Sequence, residues 1–183
     1  NTATITLTIN GPFDAPRSQV FKSFGSGKVT FDVGYSNALP RVARPEWWGV
    51  DGTADDVEIN NSITAASVTL LSKQYRIAAE ILVPYFSAVG NNKHIIGEPG
   101  IGATLLAATN GINLIHWCDS GGSVRNLSMS ADVSTTVSCL RVTPLVEGSA
   151  TGFKNQNNNV FEDIYIFGGD EGIVLQAGPV DVN

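Results

Sequence analysis

Three acidic doublets, Asp55-Asp56, Glu162-Asp163 and Asp170-Glu171, are the first residues in this chain that suggest chemistry. Glycoside hydrolysis uses two carboxylates, one on each side of the scissile bond. Adjacency does not make such a pair, because neighbours on a strand point to opposite faces. A working pair has to be assembled between segments. Asp163 could meet Asp132 in this way, and Asp170 or Glu171 could meet a carboxylate in a later segment. Eliminative cleavage would need a cation beside the developing carbanion, plus a base. Arg125 and Arg141 are the cations at hand. Asp163, Asp170 and Glu171 are therefore the candidate catalytic residues, and Tyr165, Arg125 and Arg141 the candidate substrate-binding residues. Tyr165 and Phe167 can stack on sugar rings or pack on a neighbouring subunit. Surface and turn roles are the plainer alternative for all of these.

The remaining polar residues point to structure. His94 and His116 lie on expected strands, where a lone histidine is a hydrogen-bonded structural residue. Cys118 and Cys139 are the only cysteines and read as buried free thiols. The sequence has no metal-ligand cluster, phosphate-binding glycine loop or Ser-His-Asp order, so no metal and no cofactor are expected.

The first doublet has its own reading. Thr53 or Asp55 can N-cap a helix whose first turn holds Asp55, Asp56 and Glu58, where the dipole favours carboxylates. Ile59, Ile63 and Ala66 repeat at i, i+4 and i+7 and make one apolar stripe. Asn60, Asn61, Ser62 and Thr64 cover the other faces. Just before them, Trp47-Trp48 lies between Pro45 and Gly49 and reads as a buried lid more readily than as a sugar platform. Trp47, Trp48, Asp55 and Asp56 are expected to form a structural cap over the open end of stacked strands.

Around this cap the chain divides into residues 1–43, a small β appendage and linker; 44–66, the cap; and 67–183, the first coils of a parallel β-solenoid. In the appendage, Thr2 to Asn10 alternates as a strand, Gln19-Val20-Phe21 is a possible short strand, and Lys28 to Val33 is another. Gly34 to Arg44 is a linker. Beyond the cap, short strands are expected around Val68–Leu71, Tyr75–Ile77, Ile81–Val83, Lys93–Ile96, Thr104–Leu106 and Asn113–Trp117, with a loop from Pro84 to Asn92. Then a repeat begins. Val124 to Ser130 is echoed by Phe161 to Phe167, and Cys139 to Val142 by Ile173 to Leu175. The offset is 37 residues from Leu127 to Ile164 and 35 from Leu140 to Leu175. Leu127 should stack on Ile164 and Met129 on Ile166, with Ser128 and Tyr165 outward. Asn126 and Asp163 take matching bends. Glu147 to Asn159 is an excursion between coils.

Composition agrees with a β-rich chain. Charged residues are only 15% of the total and the net charge is −6. Nucleic-acid binding is not expected without a basic face. An acidic polymer would need a local basic patch. No run reaches the roughly 18 apolar residues of a transmembrane helix, so no membrane insertion is expected. Asn1 and Asn183 are expected to be internal to a longer protein.

Pro45-Glu46-Trp47-Trp48-Gly49, then Asp51-Gly52 and Asp55-Asp56, resembles the start of pectate-lyase-superfamily right-handed β-helices, which include many bacteriophage tailspikes. His94-Ile95-Ile96-Gly97-Glu98-Pro99-Gly100 is similar to a Gly-containing segment those proteins carry about two turns later. Val50 and Asn60-Asn61 depart from the usual pattern. The resemblance runs from about Val42 onward. It implies an all-β fold, a right-handed parallel β-helix with an N-terminal capping α-helix. It also implies an N-terminal part of a phage tailspike or tail adhesin, a homotrimer on the virion tail beside other tail proteins. Such a protein binds, and in many cases depolymerises, a bacterial capsular polysaccharide or lipopolysaccharide. The catalytic residues would then be expected beyond Asn183. A secreted bacterial polysaccharide lyase or hydrolase and a non-catalytic virion module are the alternatives.

Overall fold

A computed structural model describes residues 6–9, 13–22, 28–31, 42–84, 92–119, 121–131, 137–143 and 158–175. The expected Gly25–Gly27 turn, most of the Gly34–Arg44 linker and of the Pro84–Asn92 loop, Asp132 and most of the Glu147–Asn159 excursion lie outside them.

Short runs of β-branched and aromatic residues between Gly, Asn and Pro produce short strands. In chain order they are β1 (Thr6–Ile9), β2 (Lys28–Phe31), β3 (Val42–Ala43), β4 (Val68–Leu71), β5 (Gln74–Ile77), β6 (Ile81–Val83), β7 (His94–Gly97), β8 (Ala103–Ala107), β9 (Asn113–Trp117), β10 (Ser123–Ala131), β11 (Ser138–Val142), β12 (Val160–Gly168) and β13 (Glu171–Leu175). Among the described residues a single 3₁₀ turn, Pro45–Trp48, and one helix, α1 (Asp56–Ala65), precede β4. Among the described residues every strand pair is parallel. The fold is all-β and parallel, with one short helix.

β1 and β2 pair apart from the rest. The other strands form a larger sheet of β3, β4, β5, β7, β8, β10 and β12, and a smaller one of β6, β9, β11 and β13. The chain crosses from the larger sheet to the smaller four times, and returns to the larger after each of the first three crossings. Each return lands one strand further along. Val68 pairs with His94, 26 residues on; Ile81 with Ile115, 34 on; and Leu127 with Ile164, 37 on. Leu127–Ile164 and Met129–Ile166 fall as the repeat requires. The second repeat is corrected: Leu140 pairs with Ile173, 33 residues on, and Leu175 faces Val142. From β4 to β11 one side of each strand is buried and mostly apolar, with Tyr75, Leu105 and Met129 in one inward row and Ile81, Ile115 and Leu140 in another. Each such side chain contributes about 1.5–3 kcal/mol through burial.

The helix closes one end of this core. Ile59 and Ile63 are buried in it. Polar side chains then fix the helix in place. Asp56 Oδ1 accepts from the Ala78 and Ala79 amides at 3.0 and 3.2 Å. Asn60 donates to Glu80 O at 3.2 Å and accepts from Leu82 N at 3.0 Å. Lys93 Nζ donates to Ile63 O and Ala66 O at 2.6 and 2.8 Å, which satisfies carbonyls the helix end leaves open.

Several expectations about the cap are corrected. Asp55 occupies the N-cap position but makes no side-chain cap. Its Oδ1 accepts from Gly52 N at 2.9 Å and Asp51 N at 3.2 Å, and its Oδ2 from Arg76 N at 2.9 Å. Ser62 is buried, not on an outer face, because its hydroxyl has partners in Ile59 O and Thr69 Oγ1. The tryptophans do not join the core of the stack. Trp47, 1% exposed, packs with Phe13, Phe21, Ala43, Ala65 and Ala66, and Trp48 lies half-buried against Phe21. Gln19–Phe21 is not a strand: Val20 N and Phe21 N both donate to Trp47 O, and Trp47 Nε1 donates to Pro16 O at 3.0 Å. The indole pair therefore packs between the 13–22 segment and the end of the helix, while Ile59, Ile63 and Val50 face the core of the stack.

Candidate functional site

The residues with possible chemistry fall on two outward faces. The first is the larger sheet across β8, β10 and β12. Tyr165 aligns with Ser128 and Thr104, and Phe167 with Ser130 and Leu106. Alternation along the strand puts Tyr165 and Phe167 on the same side, about 6.6 Å apart at their backbones. They are 65% and 59% exposed. Three hydroxyls, Thr104, Ser128 and Ser130, flank them on the two preceding strands.

One end of this face is set by a bend. Asn126 and Asp163 both have φ 52°, the left-handed conformation that Asn and Asp tolerate best among residues with a side chain. Asn126 Nδ2 donates to Gly97 O at 2.9 Å. A Cβ on Gly97 would lie 1.8 Å from Asn126 O, so only glycine fits under the bend. Beyond it, Arg125 Nη1 lies 3.2 Å from Glu162 Oε2 on the next strand, both about half exposed.

The candidate carboxylates are engaged separately. Asp163 is exposed at the bend, Asp170 lies in an exposed turn with its amide on Val137 O, and Glu171 Oε2 accepts from Ser138 Oγ at 2.7 Å. Glu162 and Asp163 do not alternate between faces as strand neighbours would, because the left-handed residue turns both outward. Arg141 is on the other sheet, aligned with His116 and Val174, and does not share a face with Arg125.

The second face, on the smaller sheet, holds a cluster that reading each histidine alone does not reveal. Glu80 Oε1 is 2.7 Å from His116 Nδ1, and His116 Nε2 is 2.8 Å from Thr143 Oγ1. Thr143 Oγ1 is in turn 3.6 Å from Cys118 Sγ. Asn113 Nδ2 donates to the other oxygen of Glu80. The Cys118 sulfur and then Glu80 favour the protonated imidazole and outweigh its partial burial, so the His116 pKa is pushed up to about 9. His94 is the opposite case: burial and Arg125 lower its pKa, and Nδ1 is 2.8 Å from Ser123 Oγ. No local sequence signal brings the cluster together: Glu80 comes beside β9 through the Ile81–Ile115 pairing of the folded chain.

The thiols stay separate. Ser138 pairs with Asn113 and Val142 with Trp117, which sets Cys139 opposite Leu114 and Cys118 opposite Thr143. That is four residues along the sheet, about 13 Å, beyond the span of a disulfide. Both are free.

Among the described residues, no three His, Cys, Asp or Glu side chains gather as a metal site requires. Among them also, no helix is long and apolar enough to cross a membrane. No protein-family model, curated protein or solved structure matches the chain.

Proposed function

We propose that the protein is a right-handed parallel β-helix of the tailspike kind, and that the outer face of its larger sheet binds a bacterial surface polysaccharide. The parallel order and the repeated return to one sheet support the fold reading, and such crossovers are right-handed in nearly all proteins. The observation that carries the binding reading is the exposed Tyr165–Phe167 row beside Thr104, Ser128 and Ser130. Aromatic faces stack on the apolar side of sugar rings while hydroxyls take the ring oxygens. An extended glycan fits a row that continues from strand to strand. The same reading makes the protein a homotrimer on a virion tail, in contact with other tail proteins and with capsule or lipopolysaccharide. It places any depolymerase activity near Asp163, Asp170 and Glu171 or outside this chain.

The test is binding of capsular polysaccharide and lipopolysaccharide from a panel of hosts, with product sizing and an absorbance reading for unsaturated uronate. Tyr165→Ala with Phe167→Ala should abolish retention without lowering the melting temperature. Equal binding by wild type and the double variant would remove the reading. A non-catalytic virion module is the second reading, favoured because the candidate Glu171 is occupied by the Ser138 hydroxyl. Binding with no change in polymer size would support it.

A further inference from the structure

An asparagine followed by glycine can close on itself, because the side-chain carbonyl reaches the next backbone nitrogen and glycine has no Cβ to block the approach. Whether the ring forms depends on how firmly the fold holds the two residues. Asn110-Gly111 lies in the bend between β8 and β9, with both residues exposed and Gly111 at φ 75°. The residues on either side are held: Ala108 N donates to Ile77 O at 2.8 Å, and Ile112 O accepts from Ser138 N at 3.2 Å. Between them, among the described residues, neither the Gly111 amide nor the Asn110 side chain has a hydrogen-bond partner. Comparable residues elsewhere are restrained. Asp51-Gly52 has the same spacing, but Gly52 N donates to Asp55 Oδ1 at 2.9 Å and Asp51 Oδ1 accepts from Thr53 N at 2.8 Å. Asn60, Asn113, Asn126 and Asn159 each donate from the side-chain amide to a neighbour, and each precedes a residue with a Cβ.

We infer that Asn110 is a site of spontaneous covalent modification, deamidating through a cyclic imide formed with Gly111. The Gly111 nitrogen gives its proton to solvent base and bonds to Asn110 Cγ. The bond from Cγ to the side-chain nitrogen breaks, and that nitrogen takes up a proton and leaves as ammonia. Water then opens the imide. Attack at Cγ leaves aspartate; attack at the Asn110 backbone carbonyl leaves isoaspartate, with the chain now running through the side chain. Nothing is oxidised or reduced, and water is the only co-reactant. Either product makes the chain one charge more negative than its present −6. The isoaspartate form also adds a backbone carbon to the bend, just ahead of the Ile112 carbonyl that bonds the next strand layer.

Ageing the native protein at mildly alkaline pH tests this, with peptide mass spectrometry for the site and isoaspartyl methyltransferase labelling for the rearranged product. Asn110 should convert well ahead of Asn60, Asn113, Asn126 and Asn159, at a rate close to its rate in the same protein under denaturant. Gly111→Ala should leave Asn110 intact over the same period, and Asn110→Gln should remove the label from that peptide. Asn10-Gly11, which lies outside the described residues, serves as the chemical control. Conversion of Asn10 with Asn110 left intact would overturn the inference, because the bend would then be holding the pair apart. Conversion of Asn110 only under denaturant would overturn it too. Both comparisons use the wild-type protein, so they stand even where a variant folds poorly.

Discussion

Asp55-Asp56 and Glu162-Asp163 are both acidic doublets at the edge of a regular element, and they are used in opposite ways. In the first doublet both side chains are buried, and between them they accept five backbone N–H groups from the 51–52 turn and the β5 region. In the second, both residues are exposed; Glu162 pairs with Arg125, and Asp163 provides a left-handed bend. A buried carboxylate ringed by amides is an internal fastener, while an exposed one is a replaceable turn residue. The difference lies in which backbone surrounds the doublet, and the chain reveals that only after folding.

The largest effect should fall on the cap. Trp47→Ala should cost about 3–5 kcal/mol and lower the melting temperature, while the half-buried Trp48→Ala should cost less. Equal losses would mean that the two indoles share one role. The same conservative change then separates the doublets. Asp55→Asn places an amide nitrogen against a backbone N–H and should cost about 2–3 kcal/mol. Asp163→Asn should stay within about 0.5 kcal/mol, because asparagine also tolerates the left-handed bend. Denaturant midpoints of the two variants would test the contrast, and similar losses would break it. The smallest effect concerns Glu80–His116. The folded pKa of His116, about 9, lies above the ordinary 6.5, so folding takes up a proton between those values. That stabilisation is full below pH 6.5 and disappears as pH rises through about 9. The melting temperature should therefore fall across this window in wild type and fall less in His116→Gln. Parallel curves would show that the pair carries no linkage.

Much of the fold could be read from the residues, because period-2 alternation and Gly, Asn and Pro punctuation are local signals. Val68–Leu71, Ile81–Val83 and Asn113–Trp117 form strands at the expected positions. The Leu127–Ile164 register was legible because the repeat carries matching side chains and matching bends. The Leu140 register was missed by two residues, since a shift of two keeps every side chain on its own face and leaves the pattern unchanged. Gln19–Phe21 has strand composition but bonds to Trp47 O, a partner far away in sequence. For the same reason the Glu80–His116–Thr143–Cys118 cluster was out of reach. Its members come from three strand layers, and none of them is unusual in its local context.

Lys93 makes the order of synthesis matter. Helix α1 has no C-cap glycine; its final carbonyls at Ile63 and Ala66 are bonded by an amine that lies 30 and 27 residues later in the chain. A ribosome adding about 5–20 residues per second delivers that amine seconds after the helix itself. Until then the short, asparagine-containing helix lacks both its closing donor and the strands that Asp56 and Asn60 grip. The nascent chain should therefore keep this segment unsettled through early elongation and fix it only when β5, β6 and Lys93 have emerged. Pausing translation just before Lys93 would be expected to lengthen that exposed interval, and chaperone capture would be expected to concentrate there.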